Sequence, residues 1–125
     1  MTVVYDAGAL VAADRSDRHL WADHRVRLEL GLVPLTTAPV VAQVSRSPRQ
    51  AQLRRFLRGC DTVPFMAEVA HEVGALAGRS TTPDVVDVHV VTVAAAAHAA
   101  VVTSDKEDLE RVAASTQPPV TVITI

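Results

Sequence analysis

The chain has 125 residues, of which 49% are hydrophobic and 21% are charged, so it can form one domain with a single core and is too apolar to be disordered. Its net charge of −2 gives no general attraction to nucleic acid. One cysteine excludes a disulfide framework and a zinc finger, and no apolar run reaches the roughly 18 residues of a membrane span. With no basic leader before an apolar core, we expect one cytoplasmic domain over residues 1–125.

The first segment predicts a strand followed by two helices. Thr2–Tyr5 is rich in β-branched and aromatic residues, which favour a strand. Asp6 follows it directly and precedes a small apolar helix. Asp6 suits a helix N-cap, and it equally suits a ligand site at the end of a strand. The amphipathic pattern of residues 16–31 predicts a second helix, whose Leu20, Trp21 and Leu28 recur at helical spacing.

The middle of the chain combines a short strand with an arginine-rich helix. Residues 33–36 predict the strand, Thr37 can cap a helix that carries Gln43, and Pro48 is expected to start another helix that ends at Arg58. Residues 46–58 contain no acid and five arginines, four of which we assign to RNA phosphate contacts, namely Arg46, Arg49, Arg54 and Arg55. A solvated helix face, or a general preference for arginine over lysine, explains the same pattern.

The remaining segments continue the alternation of strands and helices. Strands are predicted at residues 61–64, 99–102 and 120–125, and helices at residues 65–79, 88–97 and 110–114, with a loop over residues 78–83. Such alternation predicts a parallel sheet with helices on both faces. We therefore expect an α/β fold with three layers.

Residues 83–109 hold four of the nine aspartates, in two pairs separated by apolar residues. Asp105 follows a predicted strand and Asp87 lies on the preceding helix, so both can meet Asp6 at the carboxyl edge of the sheet. Clustered carboxylates repel one another unless a cation neutralises them, and hard oxygen ligands select Mg²⁺ or Mn²⁺. Such a site can hydrolyse a phosphodiester. Asp84 and Asp108 are possible additional ligands, although helix capping explains them as well.

Four motifs in this order resemble the PIN domain, and within that family the chain is similar to VapC-type toxins of toxin–antitoxin pairs. The motifs are a strand followed by Asp-Ala-Gly-Ala-Leu, then APVVAQV, DVVDVHV and VVTSDKEDL. The resemblance spans nearly the whole chain. It implies an α/β/α sandwich and a Mg²⁺- or Mn²⁺-dependent endoribonuclease that forms a homodimer and binds a small antitoxin.

The resemblance also implies roles for individual residues. The acids of the family map to Asp6, Asp87 and Asp105, with Asp108 as a frequent extra acid, and Thr103 and Ser104 are the polar residues before the strand-end acid. The family usually has Glu where this chain has Gln43, which supplies no negative charge and puts catalytic strength in doubt. The tail of the antitoxin is expected to cover the acidic site, where an arginine can pair with the carboxylates.

Two other functions are compatible with parts of the sequence. A non-catalytic PIN-like module that binds RNA or a protein is favoured by Gln43. A receiver-like signalling domain also gathers acids around Mg²⁺, but it requires an acidic pair after the first strand and an aspartate after the third. Ala7 follows Asp6, and no aspartate follows the strand predicted at residues 61–64.

Overall fold

The computed structural model describes residues 1–125 and contains five strands and seven helices. The strands are β1 (Val3–Tyr5), β2 (Leu35–Thr37), β3 (Asp61–Val63), β4 (Ala100–Thr103) and β5 (Val122–Thr124). The helices are α1 (Ala7–Asp14), α2 (Arg18–Glu29), α3 (Ala38–Val44), α4 (Ala51–Leu57), α5 (Ala67–Ser80), α6 (Val85–Ala97) and α7 (Lys106–Ala114). None of these helices is long and apolar enough to cross a membrane.

The strands form one sheet in the order β3-β2-β1-β4-β5, and every pair is parallel. Helices α1 to α4 contact one another, and α5 to α7 form a second group, so the sheet lies between two helical layers. The predicted three-layer α/β/α sandwich is confirmed, and its sheet is wholly parallel. The strand order also differs from the 2-1-3-4-5 order of receiver-like folds, which argues against that alternative.

The centre of the sheet is apolar on both faces. All residues of β1 and β4 are buried, as expected for parallel strands that are covered by helices on each side. Tyr5 pairs with Val102 in the β1–β4 register, so the two strands end side by side. This register places the residues that follow each strand at the same edge of the sheet.

A buried aromatic cluster packs α2 and α4 against β1. Phe56 stacks on His24 with ring centroids 4.0 Å apart and lies 4.9 Å from the ring of Tyr5. The Tyr5 hydroxyl contacts His24 Nδ1 at 3.0 Å and accepts a hydrogen bond from Arg27 Nη1 at 3.1 Å. Burial raises the pKa of Tyr5 to about 12 and lowers the pKa of His24, so both side chains are neutral at pH 7. The bond between the hydroxyl and the imidazole pairs two buried polar groups, and its direction follows the tautomer of His24.

This packing buries part of the apolar face expected on α2 and leaves the rest exposed. Leu20 is fully buried in the core, Trp21 is half-buried, and Leu28 is 40% exposed. The indole Nε1 of Trp21 donates to Ala13 O at 3.0 Å, which holds the ring against α1. Only the outer part of the face is thus available to another molecule.

Several predicted boundaries are wrong, and local hydrogen bonds explain two of them. Helix α4 begins at Ala51 instead of Pro48, because Gln50 Oε1 accepts the backbone N–H groups of Arg46 and Ser47 and holds that segment as a turn. The loop predicted from Gly78 is helical as far as Ser80. Helix α6 begins three residues early, at Val85, because Asp84 Oδ1 accepts the backbone N–H of Val86 at 2.9 Å.

Candidate active site

Three of the predicted site acids lie where strands β1 and β4 end and where helix α6 begins. Asp6 comes directly after β1, and Asp105 comes two residues after β4, its parallel neighbour. Asp87 lies in the first turn of α6, one turn after the N-cap Asp84. Asp6, Asp84 and Asp105 are the N-cap residues of α1, α6 and α7. Helix N-termini favour negative charge, so each of these helices helps to tolerate its carboxylate.

Asp6 is the most buried of these acids, with 5% of its surface exposed. Its Oδ1 accepts the backbone N–H of Ala9 at 2.9 Å, and its Oδ2 accepts the hydroxyl of Thr103 at 2.5 Å. Burial raises the pKa of Asp6, and the hydrogen bonds from Thr103 and Ala9 oppose that rise. The capping role and the site role are compatible, because each oxygen retains a second lone pair.

Thr103 connects the ends of β1 and β4. While its hydroxyl donates to Asp6, its Oγ1 accepts the backbone N–H of Asp105 at 2.9 Å. One side chain thus fixes the position of both strand-end acids. The sequence motif marked Thr103 as a polar site residue, and the structure shows this bridging geometry.

Asp87 has a strongly perturbed carboxyl group. Its pKa is raised from 3.8 to about 6, first by partial burial and then by the negative charges of four neighbouring acids, in the order Asp84, Asp6, Asp108 and Asp105. In the sequence, four of these carboxylates stand in two pairs and Asp6 lies far from both, and the fold brings the other four within electrostatic range of Asp87. Near neutral pH this group can bind or release a proton.

Asp105 and Asp108 form the outer part of the cluster. The charge of Asp105 and a hydrogen bond with its side chain raise the pKa of Asp108, which is fully exposed. Asp105 caps α7 without a side-chain hydrogen bond to a backbone N–H of the helix. The structure thus brings Asp108 beside Asp105, and its membership of the site stays a prediction.

No positive side chain neutralises the cluster. The only salt bridge in the chain joins Lys106 to Glu110, and it involves none of the five acids. Beside Asp84, Asp87 and Asp108 lies a cavity of about 270 Å³ that has no hydrophobic side chain in its lining. Its single cation is Arg111, which sequence reasoning missed, although its position three residues after Asp108 on α7 was a usable indication.

The chemistry of the cluster fits a divalent cation, although the side chains do not form a complete coordination shell. The donors are all oxygen atoms, and the raised pKa values of Asp6 and Asp87 show that added positive charge would stabilise the ionised forms. No three His, Cys, Asp or Glu side chains are arranged to hold one metal ion. Binding would therefore require small side-chain movements, and water would complete the coordination.

The other predicted site residues lie outside this hydrogen-bond network. Gln43 is exposed on α3 and makes no side-chain hydrogen bond, and Ser104 is exposed in the turn after β4. None of the four predicted RNA-binding arginines lines the polar cavity. The guanidinium of Arg46 donates to the carbonyls of Ala42 and Ser45, that of Arg54 to Pro48, and that of Arg55 to Gln52. Arg49 is exposed with a side chain that makes no such bond.

Comparison with known proteins gives structural matches without sequence matches. No protein-family model matches the chain, and no curated protein sequence matches it. A chain in the crystal structure of VapBC2 from Rickettsia felis, bound to a DNA fragment from its promoter, superposes with a TM-score of 0.79 and 17% identity, covering 100% of this chain and 99% of that one. PAE2754 from Pyrobaculum aerophilum gives a TM-score of 0.65 and 15% identity over 98% of this chain and 83% of that one. The chain therefore has the PIN-like α/β/α fold that the sequence resemblance implied.

Proposed function

We propose that the chain is a Mg²⁺- or Mn²⁺-dependent endoribonuclease and the toxin of a toxin–antitoxin pair. The observation that carries the proposal is the group of five carboxylates without a salt-bridge partner, in which the pKa values of Asp6, Asp87 and Asp108 are raised. Structural proteins rarely keep such unpaired charge together, because it costs folding free energy. The similarity to a chain of the VapBC2 complex favours the toxin assignment.

Asp6, Asp87 and Asp105 are the proposed ligands of the ion, with Asp84 and Asp108 next to them. A bound divalent ion would supply the positive charge that stabilises a phosphodiester under attack and lowers the pKa of water. Thr103 would hold the buried Asp6 carboxylate in place and keep Asp105 in register with it. Asp87, whose pKa lies near 6, is suited to accept a proton from the attacking water once it is ionised.

The sequence supplies a second candidate function, an RNA-binding module that does not cleave. Two observations favour it: Gln43 supplies no charge where the resembled family has Glu, and no three acidic side chains are already arranged around a common point. RNA would then contact the exposed arginines Arg46, Arg49, Arg54 and Arg55. The two functions differ in whether a divalent ion converts bound RNA into shorter products.

The deciding experiment incubates the purified chain with a mixed-sequence RNA in Mg²⁺, in Mn²⁺ and in EDTA. We expect cleavage with either ion and none in EDTA, and Asp6→Asn should abolish it. Asp61→Asn is the matched control, because Asp61 is an exposed aspartate at the start of β3, at the opposite edge of the sheet. RNA that is bound but not cleaved in every condition would support the second candidate and refute the first.

The proposed protein partner is a small antitoxin that lies along α2 and α4. A groove of about 870 Å³ there combines the apolar side chains of Trp21, Val26 and Leu28 with the cations Arg18, Arg25 and Arg55. Val26 and Leu28 are 51% and 40% exposed, which is costly without a partner. An antitoxin segment with apolar and acidic side chains complements this groove, and its tail could reach the acidic site and pair an arginine with the carboxylates.

Two further properties rest on the same assignment. We propose that the chain forms a homodimer and acts in the cytoplasm, where its RNA substrate and antitoxin are found. Sedimentation of the purified chain tests the first, and a strict monomer at micromolar concentration would contradict it.

A further inference from the structure

Gly8, the second residue of α1, lies against the turn that follows β4. A Cβ atom at Gly8 would stand 2.2 Å from Ser104 Oγ, 3.2 Å from Ser104 N and 3.3 Å from Ser104 Cβ. A Cβ at Gly74 or Gly78, both on α5, would meet nothing within 4 Å. Glycine weakens a helix relative to alanine, so its presence at Gly8 has a steric reason that is absent on α5.

The contact has direct consequences for the acidic cluster. Ser104 stands between Thr103, which donates to Asp6, and Asp105, whose backbone N–H donates to Thr103. The backbone N–H of Gly8 lies near enough to the Asp6 carboxylate to lower its pKa slightly. Gly8 is therefore a point of close approach between the start of α1 and the turn that carries Asp105.

We propose that Gly8 is a positioning residue that sets the distance between Asp6 and Asp105, an inference that rests on the proposed ribonuclease function. The missing Cβ forms a notch in α1 that receives the Ser104 side chain. A side chain in this notch pushes the β4–α7 turn outward and lengthens the hydrogen bond between Thr103 and Asp6. Gly8 touches neither substrate nor ion, and it acts only through the acids.

The size of the effect follows from which atoms can move. The Ser104 hydroxyl can rotate away from a new methyl group, but the backbone nitrogen and Cβ of Ser104 must still retreat by a few tenths of an ångström. A misplacement of 1 Å can reduce the rate of an enzyme by about 100-fold. We therefore expect Gly8→Ala to lower kcat/KM by roughly 10-fold and to weaken Mn²⁺ binding by a similar factor.

The experiment compares Gly8→Ala with Gly74→Ala, which makes the same change on a helix where the added methyl group is free. Ser104→Gly removes both the hydroxyl and the Cβ that a methyl group at position 8 would meet, so the Gly8→Ala/Ser104→Gly double variant should recover most of the loss relative to Ser104→Gly alone. Ser104→Val adds bulk from the other side of the contact and should act like Gly8→Ala. This last variant decides the question if Gly8→Ala fails to fold.

Each variant is measured by calorimetric titration of Mn²⁺ without RNA, by RNA cleavage at saturating Mn²⁺, and by thermal unfolding. The inference requires weaker Mn²⁺ binding in Gly8→Ala, no change in Gly74→Ala, and recovery in the double variant. Equal Mn²⁺ affinity in the two alanine variants, or no Mn²⁺ binding by the unchanged protein, overturns it. An unchanged protein that binds Mn²⁺ but does not cleave RNA refutes the proposed function, while the Mn²⁺ affinities still decide the role of Gly8.

Discussion

The hydroxyl of Thr103 donates to Asp6 Oδ2 across 2.5 Å, and this bond joins residues that are 97 positions apart in the chain. It stabilises the charged form of a carboxylate that burial destabilises. Because the same oxygen also accepts the backbone N–H of Asp105, the bond couples the two strand-end acids.

Thr103→Val should lower RNA cleavage by about 10- to 100-fold, as is typical when a residue that orients a metal ligand is removed. It should also raise the pKa of Asp6 further, because the lost hydrogen bond favours the ionised form. The acidic limb of the pH–rate profile would then move to higher pH. Thr103→Ser keeps the hydroxyl and serves as the control, and a profile of Thr103→Val that matches the unchanged protein would show that the bond has no part in activity.

Stability without metal should depend on the ionisation of Asp87. Its pKa is about 6 in the folded protein against an ordinary 3.8, so between these values the folded state binds more protons than the unfolded state. The stabilising contribution is complete below about pH 4 and is lost as the pH rises through about 6. Melting temperatures in EDTA should therefore fall over this range, and Asp87→Asn should flatten the dependence. If the melting temperature of the variant falls equally steeply with pH, the pH dependence belongs to another group.

Gln43→Glu should raise the affinity for Mg²⁺ if Gln43 faces the cluster. At an effective dielectric near 20, unit charges about 4 Å apart interact by roughly 4 kcal/mol before desolvation, and repulsion from the other acids reduces the gain, so we expect the Mg²⁺ midpoint of cleavage to fall by about 10-fold. Gln52→Glu makes the same change on α4, away from the polar cavity. Equal midpoints for both variants and the unchanged protein would mean that Gln43 does not face the ion.

Tyr5→Phe should lower the free energy of unfolding by about 1 to 3 kcal/mol, because it leaves the buried Nδ1 of His24 without its hydrogen-bond partner. Urea unfolding in EDTA measures this cost without a contribution from metal binding. Leu30→Ala is the control, since Leu30 is 69% exposed and its loss should change stability by no more than about 0.5 kcal/mol. Equal stability of the two variants would contradict the role of the hydroxyl.

Val26→Glu should prevent capture by an antitoxin without changing RNA cleavage. Val26 is 51% exposed in the α2–α4 groove, so a carboxylate there would be solvated in the free protein and buried in the complex. The test co-expresses the chain with a candidate antitoxin and measures co-purification and growth. Val33→Glu, at a residue that is 45% exposed and outside the groove, is the control. Undiminished co-purification of the Val26 variant would place the partner on another surface.

The order of elements was predictable from sequence because the central strands β1 and β4 are buried, largely apolar runs, each followed within two residues by an aspartate that caps the next helix. The convergence of Asp6 and Asp105 followed from the general placement of ligands at the carboxyl ends of parallel strands. Helix boundaries were harder to predict, since the starts of α4 and α6 depend on hydrogen bonds that the side chains of Gln50 and Asp84 accept.

The contributions of Gly8 and Arg111 were not predictable from local pattern. The notch at Gly8 exists only because the turn containing Ser104, almost a hundred residues later, packs against α1. Arg111 joins the cavity only because α7 lies beside the start of α6. Both are properties of packing between distant segments, whereas a pattern in the sequence reports on neighbours along the chain.

The position of β1 at the centre of the sheet also has a consequence for synthesis. Its neighbour β4 is the fourth of the five strands to be translated, so Asp6 emerges long before Thr103 and Asp105. At about 5 to 20 residues per second, the ribosome needs roughly 5 to 20 seconds to make the intervening segment. A nascent chain therefore lacks the assembled carboxylate group until Asp108 has been made, whereas α2 and α4, the surface proposed for the antitoxin, are made earlier.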